Sequence, residues 1–101
     1  MKVKELIDYV NSNEFYSLWN MENALCCDFL DKELPQRVAE KLEIEENRWY
    51  EVSTSVYKLE DGFVGVRGVS SLYTDMNAEG FCTKCSASEY QEIPSVTYKK
   101  K

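Results

Sequence analysis

The amino-acid sequence predicts an α+β domain, with two or three N-terminal helices packed on one face of a three- to four-stranded antiparallel meander. Three observations carry this expectation. Apolar residues in the first part of the chain recur at helical spacing. From Asn47 the chain becomes rich in Trp, Tyr, Val, Thr and Ser, which suit a pleated, half-buried surface. Between two such stretches stands Asp61-Gly62, a strong two-residue hairpin signal. Helices first and strands afterwards, without alternation, read as α+β. The composition shift near residue 47 divides one domain, 1–101, into a helical part (1–46) and a sheet (47–101).

The elements follow in order. Val3, Leu6, Ile7 and Val10 line one face of a helix over 2–12, and the turn-prone Asn11-Ser12-Asn13 stops it. Leu18, Met21, Leu25 and Phe29, with Ala24 and Cys27 beside them, form a broad apolar stripe over about 17–31. Ser17 or Asn20 is the cap, and the breadth of the stripe implies a helix buried on much of its surface. A third helix is expected from Pro35, which tolerates the first helical turn, with Val38, Ala39 and Leu42 inward. The strands are Arg48–Glu60, Phe63–Thr74, a stretch within Phe81–Ile93, and Ser95–Lys99 after the interruption at Pro94. In the first strand Tyr50, Val52, Thr54 and Val56 share one face, and Trp49, Glu51, Ser53, Ser55 and Tyr57 the other.

Charge is the most polarised feature. The net charge is −6, and residues 1–47 carry all of it, with eleven acidic against five basic side chains. Such a surface repels nucleic acid and anionic lipid, so neither is expected as a partner. No apolar run approaches the length of a membrane span, and Met-Lys-Val-Lys-Glu-Leu-Ile-Asp has no apolar core of an export signal. The expectation is a cytoplasmic, reducing setting, in which four cysteines do not imply a disulfide framework.

The chain has no histidine, no glycine-rich phosphate loop and no nucleophile elbow. A general acid or base would have to be Glu, Asp, Lys, Tyr or Cys, and nothing singles out a pair, so a non-enzyme is expected. Cys82 and Cys85 form a CxxC, and Cys26-Cys27 are adjacent; together they are the weak candidates for zinc or redox chemistry. One CxxC is half of the usual zinc pattern and lacks the helix N-terminus that activates redox thiols. Small buried apolar cysteines are the simpler expectation, and no cofactor is assigned.

Two patterns suggest binding. Glu40, Glu43, Glu45 and Glu46 crowd the end of the expected third helix, where acids oppose the macrodipole at a cost of a few tenths of a kcal/mol. A basic partner would explain them; simple solvation would too. Trp49, Tyr57 and Tyr73 would be exposed anchors if helices cover only one sheet face, unless a second copy of the chain covers them as a homodimer. Arg67, between Gly65 and Gly68, is the last candidate. It would bind a small anionic ligand in a pocket between helices and sheet. Alternatively the glycines admit Trp49, Tyr50 or Tyr57 and Arg67 pairs with Glu51 or a nearby acid. The leading expectation is a small protein-binding module of inhibitor or immunity type that neutralises a basic partner. A cysteine-based metal or redox protein and a ligand-binding domain around Arg67 are the alternatives.

Overall fold

Helices precede strands in the computed structural model, which describes residues 1–29, 34–46, 48–72, 84–93 and 97–100. Helices α1 (Val3–Ser12) and α2 (Leu18–Asp28) are followed by β1 (Gln36–Glu46), β2 (Tyr50–Leu59), β3 (Gly62–Leu72), β4 (Ser86–Ile93) and β5 (Thr97–Lys100). The strands pair antiparallel in chain order β1-β2-β3-β4-β5, so the fold is α+β with an antiparallel meander. No helix among the described residues is long and apolar enough to cross a membrane.

Helix α1 buries Val3, Leu6 and Val10, the face its periodicity predicts. The sheet supplies its end contacts. Asp61 in the β2–β3 turn accepts the otherwise orphaned N–H of Val3 at 2.8 Å. At the other end Asn11 binds β4 like a peptide group, accepting from the N–H of Ala87 at 2.9 Å and donating to its carbonyl at 3.1 Å. Asn13 closes the helix by donating to the carbonyl of Tyr9. In α2, Ser17 Oγ accepts from the N–H of Asn20 at 3.2 Å, the cap expected of it. The buried stripe is narrower than expected: Leu18, Met21 and Leu25 are inside, whereas Cys26 and Cys27 are exposed.

Residues 36–46 form a strand, not the expected third helix, so the sheet begins before residue 47. Pairing with β2 from Gln36↔Lys58 to Glu46↔Glu51 overrides a helix-favouring sequence. The conflict shows in the geometry: three register shifts break the ladder, and Lys41 (φ 59°) and Glu43 (φ 50°) stand in the left-handed region. That region costs a non-glycine residue about 1 kcal/mol. The bent strand carries Glu43 towards β3 and β4, where its carbonyl accepts from Arg67 and its carboxylate from Tyr90.

The β2–β3 hairpin turns one residue earlier than Asp61-Gly62. Leu59 pairs with Gly62, leaving Glu60-Asp61 as the turn and freeing Asp61 to cap α1. The helix side of the sheet presents Tyr57, Leu59, Val64, Val66, Cys85 and Ala87 to the α1 and α2 stripes. The opposite side is not open: Thr54, Val56 and Val69 are fully buried, and the Tyr90 ring lies over Gly65.

Candidate functional site

The β1–β2 hairpin gathers most of the residues that the sequence marks for binding. Glu40, Glu43, Glu45 and Glu46 are all exposed along β1. Trp49, in the bend that leads into β2, is 44% exposed, with the Arg48 guanidinium 4.9 Å from its ring centroid. Ile44, flanked by glutamates, is 51% exposed, and Leu34 is exposed just before β1. The acids expected on a helix and the aromatic expected on the sheet thus share one hairpin.

Its electrostatics remain acidic. Lys41 turns away to the buried carboxylate of Glu51, at 2.6 Å. Arg37 lies 3.7 Å from Glu40 and 3.2 Å from Glu22 on α2. Arg67 meets Glu45 at 3.2 Å and Glu43 at 3.9 Å. Three arginines, Arg37, Arg48 and Arg67, therefore stand against four glutamates on this surface. These pairs are partly exposed, so their individual worth is small, whereas their summed field reaches about a Debye length.

Arg67 lies on the sheet side away from the helices, so it is not between helices and sheet as expected. It donates to the Glu43 carbonyl at 2.7 Å and to Thr54 Oγ1 at 3.3 Å. It also borders a surface concavity of about 290 Å³ with Tyr50, Lys84 and Ser86. Its acids are Glu43 and Glu45; Glu51 is held by Lys41 and by Ser70 at 2.7 Å. The glycines beside it make room, but for other groups than expected. A Cβ on Gly65 would sit 2.4 Å from the Tyr90 ring, and one on Gly68 would sit 2.4 Å from Cys85 Sγ.

Tyr57 is not a surface anchor. It is 3% exposed, in the helix-side core, and donates its hydroxyl to the Glu22 carboxylate. Burial first, and that carboxylate second, push its phenol well above the ordinary range. Tyr73 and Cys82 lie outside the described residues. Cys85 is buried against Gly68, and burial pushes its thiol up to about 12, which disfavours thiolate chemistry there. Among the described residues no group of three Cys, Asp or Glu is placed to hold a metal ion.

The sequence reading missed Ile44 and Leu34. Ile44 is visible only when 42–46 is read with strand alternation, which the helical spacing of Val38, Ala39 and Leu42 conceals. Comparison of the chain with protein families, with characterised proteins and with solved structures finds no match.

Proposed function

We propose that this protein is a non-enzymatic binding module of inhibitor or immunity type, acting inside the cell, that takes a basic protein partner on its β1–β2 hairpin. The observation that carries the reading is the placement of two large exposed apolar side chains, Ile44 and Trp49, on the hairpin that also bears Glu40, Glu43, Glu45 and Glu46. Exposed apolar anchors among predominantly acidic neighbours suit a steered interface: the charges set encounter rate and specificity, and the anchors set lifetime. Tyr57 plays no part in this surface, and Arg67 acts by holding Glu43 and Glu45 in place.

A photo-crosslinking residue placed at position 44 or 49 in the native host tests the proposal, with the exposed position 4 on α1 as control. The expected product is a discrete adduct with a basic protein from 44 and 49 only. Adducts indistinguishable from those of the control, or with an acidic protein, overturn it.

A further inference from the structure

Between α2 and the first two strands lies a concavity of about 120 Å³. Its floor is the serine run of β2, Ser53 and Ser55, extended by Ser70 of β3. Ser53 is fully buried, and its Oγ has no hydrogen-bond partner among the described residues. A buried hydroxyl left without a partner destabilises the fold. The same face of β2 continues with Tyr57 and Leu59, which pack into the core. Valine at 53 would favour the strand and fill the space. The sequence instead keeps a polar hollow where apolar packing would be more stable, the kind of local inconsistency that marks a binding site.

The surroundings define what fits. The volume is well below the ~300 Å³ at which drug-sized pockets begin, which excludes nucleotides and other large ligands. Trp19 of α2 supplies a partly exposed apolar wall. Both signs of charge stand around the hollow: Arg37 and Lys41 from β1, Glu22 from α2 and Glu40 from β1. Arg37 directs Nη1 to Glu22 and Glu40, and Lys41 directs its ammonium to Glu51 just beyond the lining. Three carboxylates against two cations repel a simple anion, and each carboxylate is already ion-paired with Arg37 or Lys41, so a simple cation gains little. A molecule carrying both charges meets a partner for each.

We propose that this cavity binds a small zwitterion of amino-acid size. Its carboxylate is recognised by Arg37 and Lys41, its ammonium by Glu22 and Glu40, and a polar atom satisfies Ser53 Oγ. The site shares Arg37, Glu40 and Lys41 with the hairpin but not its apolar anchors Ile44 and Trp49.

Titration of the labelled full chain with glycine, L-alanine and L-serine, followed by amide and indole NMR shifts, tests this. Acetate and ethylammonium, which carry one charge each, are the controls. Saturable shifts at Ser53, Ser55, Ser70 and the Trp19 indole are expected with at least one amino acid, and none with either control. Ser53→Val should weaken binding at least tenfold. Arg37→Gln, which leaves the interior intact, should weaken it similarly while the fold is retained. No saturable response to any of the three amino acids overturns the proposal, as does an equal response to acetate or undiminished binding by both variants. A Ser53→Val chain that is more stable than the parent, in which the parent binds none of the probes, assigns the hollow to ordered water alone.

Discussion

Gly65 and Tyr90 show how one residue's absence of a side chain is another's position. The Tyr90 ring occupies the volume a Cβ at 65 would need. Gly65→Ala should destabilise the chain by about 1–3 kcal/mol, the cost of overpacking. In urea unfolding, the cost should shrink in a Tyr90→Ala background, because the two changes share one space. Equal cost in both backgrounds would contradict the packing. The buried titrating groups set the alkaline limit. Tyr57 and Cys85 keep their protons in the fold beyond the pH at which the unfolded chain releases them, about 10 for a phenol and 9.0 for the thiol. Above those values the unfolded state binds fewer protons, so stability is full below pH about 9 and falls as pH rises towards the folded-state values. Tyr57→Phe should flatten the decline above pH about 10, as read by denaturant midpoints across pH. A parallel shift with no change in slope would show that Tyr57 is not one of the groups responsible.

Among elements, β1 separates what local sequence specifies from what pairing decides. Helices α1 and α2 were legible because a 3.6-residue stripe, a cap at Ser17 and a stop at Asn13 agree. The strands β2 and β3 were legible because both faces alternate around a turn signal. Gln36–Glu46 was not, because Ala, Glu, Lys and Leu favour a helix in isolation and only an adjacent strand makes the extended form the better one. The same gap explains the site. The glutamates and Trp49 could be named from sequence, but their meeting on one hairpin depends on β1 being a strand. Whether Tyr57 points in or out depends on which sheet face the helices choose, and large residues occur on both. Arg67 holds the bent strand through the Glu43 carbonyl. Arg67→Ala should therefore raise amide hydrogen exchange in β1 while the β2–β3 core exchanges as before. Uniform acceleration across the sheet would show that Arg67 supports the whole fold rather than this strand.

At the scale of the whole molecule, the net charge of −6 belongs to the first 47 residues, and the structure turns part of that stretch into an edge strand beside a near-neutral sheet. A charge distribution of this kind gives a direction of approach as well as solubility. Affinity capture from the native host with paired baits asks whether a basic partner binds the β1–β2 hairpin. The unaltered chain is compared with an Ile44→Asp/Trp49→Ala variant, each at about 0.05 M and about 0.5 M salt, on either side of the ionic strength at which surface charges are screened. The expected result is a basic protein retained by the unaltered chain at low salt, depleted at least tenfold with the variant and weakened by high salt. Identical capture by both baits, or retention indifferent to salt, would overturn the proposed interface.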